Sequence, residues 1–208
     1  MSTGLKTELK RKAIHLTGLT VPAIYQLTGR EFTLTFITVA FVVFVVLEPF
    51  RIIEEIRDRI KVKLRLINPE VVTGIEVIEH HVTEIEREHE QEGVAAHIYF
   101  TLASLIVVYF FSREIAIAAV TVATVGDAVA AIIGKNFGRH RFSNGKSLEG
   151  SLAYFISALL IIYPLLGLKF ALVGALVGTI VEFYDLPPDD NFSNQVFVAL
   201  SLYLFSLL

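Results

Sequence analysis

Cysteine and tryptophan are absent from this 208-residue chain, and methionine occurs once. Without cysteine the protein has no disulfide, no thiolate metal site and no cysteine nucleophile. The chain is also rich in Glu, Arg and Ile, a composition that suits a thermophile. We therefore expect a prokaryotic protein, and a thermophilic archaeon fits this composition.

Long apolar blocks separated by a few charged clusters dominate the sequence, in which 54% of residues are hydrophobic. A bilayer core about 30 Å thick needs roughly 20 apolar residues per helix, and several blocks reach or approach that length. The pattern predicts an all-α, polytopic transmembrane helical bundle with a single domain over residues 1–208. We expect the first apolar stretch to be a retained helix, not a cleaved signal peptide. The seven candidate spans are Ala13–Thr28, Phe32–Pro49, Val94–Phe111, Ile115–Gly134, Leu152–Leu166, Phe170–Tyr184 and Gln195–Leu208.

The distribution of lysine and arginine predicts the orientation. If the N-terminus is cytoplasmic, 15 of the 18 Lys and Arg residues fall in cytoplasmic segments, and the others are Arg30, Arg113 and Lys169. Membrane proteins usually carry such an excess on the cytoplasmic side. The charged segment Arg51–Glu92, between the second and third spans, is expected to form two amphipathic cytoplasmic helices broken at Asn68-Pro69. Solvated extensions of the neighbouring spans are the alternative.

Asp127 lies in an apolar stretch, about two helical turns before its predicted cytoplasmic end. A carboxylate there is costly unless it is paired, hydrated or metal-bound, so it is a functional candidate; a hydrogen bond between packed helices is the alternative. The glycine-rich loop that follows carries basic side chains, which together with backbone amides suit phosphate groups. A plain cytoplasmic anchor explains the charge equally well. The candidates here are Lys135, Gly138, Arg139, His140, Lys146, Ser147, Glu149 and Gly150.

A second acidic group follows later in the chain. Glu182 lies inside an apolar stretch, and Asp189, Asp190 and Asn191 come at its predicted cytoplasmic end. Carboxylate and amide oxygens suit Mg²⁺, which shares its ligands with substrate phosphates. Turn and helix-capping chemistry is the alternative for the last three residues.

Two weaker candidate groups precede membrane spans. Arg11 and His15 lie at the entrance of the first span, where an interfacial anchor is the plainer explanation. Arg87 and Glu90 come just before the third span, where an exposed helical face would serve as well.

Taken in order, these residues resemble the dolichol kinase and phytol kinase group, within the superfamily that includes phosphatidate cytidylyltransferases. An E-x-x-R-K-x-x-H signature is matched by Glu8, Arg11, Lys12 and His15. A central glycine-aspartate signature is matched by Gly126, Asp127, Ala130, Gly134, Gly138, His140, Lys146, Ser147, Glu149 and Gly150. Looser matches are Arg87, Glu90 and Gly93, and Glu182 with Asp190-Asn191. Two departures from the cytidylyltransferase pattern favour the kinase branch: Leu148 in the loop, and Asp189-Asp190-Asn191 at the end of the last signature.

The resemblance implies a kinase that transfers the γ-phosphoryl group of CTP to an isoprenoid alcohol of the dolichol, polyprenol, geranylgeraniol or phytol type. The site would face the cytoplasm at the plasma membrane. Asp127, Asp190 and Glu182 would be catalytic, and with Asp189 they would hold Mg²⁺. Lys135, Arg139 and Lys146 would contact CTP phosphates, with Gly138, His140, Ser147, Glu149 and Gly150 in the nucleotide loop. The acceptor side would comprise Arg11, His15, Arg87, Glu90 and Asn191.

Two other functions compete with this one. A CTP:phospholipid cytidylyltransferase would use a similar site but release pyrophosphate. A small non-enzymatic transporter could use the intramembrane acids as an ion path, although ion passage does not require the basic glycine loop. The expected partners are the lipid alcohol, CTP and membrane lipids, with no nucleic acid. A chain this small is also compatible with a homodimer.

Overall fold

The computed structural model describes residues 3–85 and 94–208, and within these ranges the chain is all-helical and has no β-strand. A 3₁₀ turn (Leu16–Leu19) joins α1 to α2, and a π-helical turn (Val122–Gly126) joins α7 to α8. The all-α prediction is therefore confirmed. The helices are α1 (Thr3–His15), α2 (Thr20–Thr28), α3 (Arg30–Ile52), α4 (Glu54–Ile67), α5 (Pro69–Ile85), α6 (Ala96–Phe110), α7 (Arg113–Thr121), α8 (Asp127–Phe137), α9 (Leu148–Leu166), α10 (Leu168–Tyr184) and α11 (Asp190–Ser206).

In the described part of the chain, three helical segments are long and apolar enough to cross a membrane: Arg30–Pro49, Arg113–Phe137 and Leu148–Leu166. They correspond to the second, fourth and fifth predicted spans. Helix α6 has 15 residues, and α10 and α11 have 17 each, which is at or below the usual lower limit of about 17 for a span. Membrane-crossing helices are thus supported, while the count of seven and the orientation stay predictions.

Small residues let the central helices pack closely. Helix α9 packs between α8 and α10, and α11 packs against α6, α7 and α10. The contacts use alanines that are fully buried, including Ala116, Ala158, Ala175 and Ala199. Close backbone approach through small residues is typical of helix association in membranes.

The charged segment after α3 forms two helices, as predicted, and the break falls at Asn68. The pair is held by ion pairs across the hairpin: Arg57 lies 3.3 Å from Glu79, which also pairs with Lys61, and Arg65 lies 2.9 Å from Glu76. Whether the hairpin is cytoplasmic stays a prediction. Arg87 and Glu90 lie outside the described residues.

Candidate active site

A cleft of about 180 Å³ opens between α8, the start of α9 and the end of α10, with α1 along one side. Five cationic side chains line it: Arg11, Lys12, Lys135, Arg141 and Lys146. Two carboxylates, Asp127 and Glu182, line it as well. The cleft therefore combines groups that bind phosphate with groups that bind cations.

Lys12 and Asp127 form an ion pair on one side of the cleft, although they lie 115 residues apart in the chain. The Lys12 side chain is only 3% exposed. His15 lies one turn further along α1, and its Nε2 is 3.4 Å from Asp127. The π-helical turn that ends at Gly126 comes directly before Asp127. Such single π turns often occur at functional sites, because the extra residue redirects the side chains that follow.

Lys146 and Glu182 form the second ion pair of the cleft. The Lys146 Nζ lies 2.7 Å from Glu182 Oε1 and 2.9 Å from Asp185 Oδ1. Burial alone would lower the pKa of the Lys146 ammonium, but the two carboxylates outweigh this effect and raise that pKa above its usual value. The other oxygen of Glu182, Oε2, is buried and has no hydrogen-bond partner among the described residues.

The loop between α8 and α9 is held in a compact turn that positions Lys146. Phe142 N donates to Lys146 O at 2.9 Å, and Gly145 takes a positive φ of 81° that favours glycine. The Asn144 side-chain amide donates to the Phe183 carbonyl at 2.8 Å, which ties the loop to α10. These hydrogen bonds hold the backbone of the loop in place, and Lys146 contacts Glu182 from it.

Glu149 holds the beginning of this loop from the first turn of α9. Its carboxylate lies 2.8 Å from His140 Nδ1 and accepts from the His140 backbone N–H at 3.3 Å. Ser147 begins α9 as its N-cap, where its hydroxyl accepts from Gly150 N at 3.1 Å. These contacts shape the loop that carries Lys146.

Glycines allow the end of α8 to approach the start of α9. A Cβ on Gly138 would lie 2.2 Å from the carbonyl oxygen of Gly134, and one on Gly150 would lie 3.0 Å from that of Ala130. Both distances are too short for an unstrained side chain, so these positions need glycine to bring the loop onto the cleft.

Tyr154 lies within electrostatic range of three acidic residues. It is fully buried, and its hydroxyl donates to Asn194 Oδ1 at 2.9 Å. Glu182, Asp127 and Asp190 all interact with it electrostatically. Asp190 thus acts on the same tyrosine as Asp127 and Glu182, although it does not line the cleft.

Of the predicted site residues, the cleft brings together Arg11, Asp127, Lys135, Lys146, Ser147, Gly150 and Glu182. Asp189 caps α11 by accepting from the Asn191 N–H at 2.8 Å, and Asp190 accepts from the Asn191 side chain at 3.0 Å. The capping alternative thus describes Asp189 in this structure. The predicted residues outside the cleft lining are Gly138, Arg139, His140, Glu149, His15, Asp189, Asp190 and Asn191.

Sequence reasoning assigned no site role to Lys12, Arg141 or Ser151, which also line the cleft. Lys12 belongs to the first signature, and a lysine three residues before His15 shares a helical face with it. That spacing was the available signal. Ser151 has a buried hydroxyl without a hydrogen-bond partner in the described ranges, and no sequence pattern marked it.

The carboxylates of the cleft suit a divalent cation that also binds substrate phosphates better than a cation held by protein ligands alone. In residues 3–85 and 94–208, no group of three or more His, Asp or Glu side chains is arranged to hold a metal ion. Mg²⁺ usually needs only one or two carboxylates when substrate phosphates supply the other ligands. Asp127 and the unpartnered oxygen of Glu182 fit that pattern.

Comparison with known proteins finds relatives in bacteria, archaea and yeast. The uncharacterized protein RP860 of Rickettsia prowazekii is 27% identical over 95% of this chain and 94% of its own length. The uncharacterized protein MJ1137 of Methanocaldococcus jannaschii is 35% identical over 54% of this chain and 60% of its own length. Dolichol kinase sec59 of Schizosaccharomyces pombe is 33% identical over 37% of this chain, which spans 17% of the yeast protein. No protein-family profile and no solved structure matches the chain.

Proposed function

We propose that this chain is a membrane-bound lipid-alcohol kinase that transfers the γ-phosphoryl group of CTP to an isoprenoid alcohol. The observation that carries the proposal is the cleft itself, in which Lys12–Asp127 and Lys146–Glu182 lie with three further cations. The partial similarity to a dolichol kinase supports the same assignment. CTP as the donor rests on the sequence resemblance.

Phosphoryl transfer depends mainly on positioning and on charge stabilisation around the phosphates. In the proposed reaction, the alcohol oxygen forms a bond to the γ-phosphorus, and the bond from that phosphorus to the bridging oxygen of CDP breaks. The hydroxyl proton leaves to a nearby carboxylate or to water, and the products are the lipid phosphate and CDP. When bound, Mg²⁺ would neutralise phosphate charge.

The residues of the cleft divide into two roles. Lys135, Arg141 and Lys146 carry the positive charge that would hold the phosphates, and Arg11 and Lys12 add to it from α1. Asp127 and Glu182 would hold Mg²⁺ or orient the acceptor hydroxyl. Because the cleft is open at one end of the helices, an alcohol anchored in the bilayer could present its hydroxyl there while the nucleotide enters from water.

We further propose the seven-span arrangement with the N-terminus and the cleft on the cytoplasmic side. The positive charge of the segments around the cleft supports this orientation. It would give the enzyme access to cytosolic CTP.

The decisive experiment uses purified protein in detergent with Mg²⁺, γ-labelled CTP and a panel of isoprenoid and other lipid alcohols. We expect label to enter the lipid fraction and CDP to form in equal amount. Asp127→Asn should abolish transfer. Lys169→Gln should not, because Lys169 lies at the opposite end of α10 from Glu182 and does not line the cleft. Pyrophosphate release with a phosphatidate-type acceptor and no labelled lipid would replace the kinase with the cytidylyltransferase.

A further inference from the structure

The two carboxylates of the cleft each have a lysine as partner. Asp127 pairs with Lys12, and Glu182 pairs with Lys146, which also contacts Asp185. The side chains of Lys12 and Glu182 are only 3% and 6% exposed. Because a buried charge is costly without a counter-charge, each pair stabilises both of its members.

The pairs nevertheless leave an opening for a ligand. Glu182 Oε2 is buried and lacks a hydrogen-bond partner within the described residues, although the same carboxylate accepts from Lys146 through Oε1. An unsatisfied oxygen of a carboxylate in a cleft is a ready ligand for a cation, and its burial without one carries a cost.

We propose that Lys12 and Lys146 exchange partners when a polyphosphate–divalent cation complex binds, an inference that rests on the proposed function of the same cleft. The two ammonium groups move from the carboxylates to phosphate oxygens, and the carboxylates released by this movement take the cation. Lys12, Lys146, Asp127 and Glu182 each keep an opposite charge as partner before and after binding. Lys12, to which the sequence assigned no role, becomes a ligand-binding residue.

This exchange makes the two halves of the ligand depend on each other. A divalent cation alone must compete with lysines that already occupy the carboxylates. A polyphosphate alone draws the lysines away and deprives both carboxylates of their lysine partners. Only the complex supplies both partners, so its binding is strongly coupled, and coupling of this kind commonly amounts to about 5- to 150-fold in affinity.

Calorimetric titration of the detergent-solubilised protein can test the exchange without any activity assay. Three ligands are compared: Mg²⁺ alone, tripolyphosphate in the presence of EDTA, and the preformed Mg²⁺–tripolyphosphate complex. We expect the wild-type protein to bind the complex at least about tenfold more tightly than either component. Binding of the complex that is no tighter than that of the better component would overturn the proposal.

Lys12→Met gives the sharper result, with Lys10→Met as its matched control. Lys10 is exposed on the same helix and does not line the cleft. Lys12→Met removes the ammonium that competes with Mg²⁺ for Asp127, so Mg²⁺ alone should bind about tenfold more tightly while tripolyphosphate alone should bind about tenfold more weakly. Lys10→Met should match the wild type for all three ligands.

Lys146→Met makes the same pair of predictions at Glu182, and it carries the test if Lys12→Met does not accumulate as folded protein. Unchanged affinity for both single components in the lysine variants would overturn the exchange. If the wild type still phosphorylates a lipid alcohol in that case, the proposed function stands and only this inference fails. Opposite shifts of the two affinities without any transfer would reject the kinase and keep the exchange.

Discussion

The hydroxyl of Tyr154 donates a 2.9 Å hydrogen bond to Asn194 Oδ1, and this bond joins α9 to α11 at a fully buried position. Asn194 is itself buried, so no water can replace the bond if it is lost. The contact holds α9, whose first turn carries Gly150 of the cleft lining.

Tyr154→Phe should destabilise the protein by about 1–3 kcal/mol, because the Asn194 oxygen would be left buried without a donor. Tyr163→Phe is the control, since Tyr163 lies on the same helix and is 56% exposed. Unfolding in detergent, followed by circular dichroism, measures both variants. Equal midpoints for the two variants would show that the buried bond contributes nothing.

Gly138→Ala should disturb the junction of α8 and α9, because its Cβ would lie 2.2 Å from the Gly134 carbonyl oxygen at the end of α8 and 2.8 Å from Cβ of Ser147, the N-cap of α9. Overpacking of this kind commonly costs about 1–3 kcal/mol, and the same circular-dichroism experiment would detect it. Gly74→Ala is the control: it lies in α5 with no atom within 4 Å of the new Cβ, so it should be neutral or slightly stabilising. A Gly138→Ala protein as stable as Gly74→Ala would contradict the close packing seen here.

Arg141 and Arg139 lie two residues apart in the same loop, but only Arg141 lines the cleft. Arg141→Gln should raise the KM for CTP about tenfold, the effect of losing one charge-assisted hydrogen bond to phosphate. Arg139→Gln should change it less than about twofold, as a screened surface charge would. Steady-state kinetics in detergent decides between them. The reverse order would support the contact between Arg139 and CTP phosphates that the family resemblance implies.

The Lys146 ion pairs should make stability depend on pH in the alkaline range. Because Glu182 and Asp185 raise the pKa of Lys146 in the folded protein above its ordinary value of 10.5, the folded state holds this proton more tightly than the unfolded chain. The stabilisation is complete at neutral pH and is lost as the pH rises beyond 10.5. Wild-type protein should therefore lose stability above this pH more steeply than Lys146→Met, in thermal unfolding between pH 8 and pH 12. Parallel curves would speak against the ion pairs.

The absence of cysteine makes the predicted orientation easy to test. Single variants Ser143→Cys, in the loop before α9, and Lys169→Cys, after α9, should lie on opposite sides of the membrane. An impermeant maleimide should label Lys169→Cys in intact cells and Ser143→Cys only after lysis. Labelling of both from outside would refute a crossing by α9, and the reverse pattern would invert the topology.

Much of the local structure followed from sequence patterns. Apolar blocks predicted the helices, and Asn68-Pro69 predicted the break between α4 and α5. Short sequence stretches also indicated the main site residues. Asp127 and Glu182 lie in apolar stretches, where a charge is costly unless it has a function or a partner, and Lys146 lies in the basic glycine-rich loop. All three line the same cleft.

What those groups contact was decided by the tertiary structure. Lys12 and Asp127 lie 115 residues apart. Their pairing could not be predicted, because hydrophobic periodicity does not show which helices pack together. Arg141 rather than Arg139 lines the cleft, in a loop that is tied to α9 through Glu149 and to α10 through the Phe183 carbonyl. The sequence by itself thus determined the helices and the kinds of charge that the protein places among them. Only packing decided the partners, because the direction of a side chain depends on contacts between segments distant in the chain.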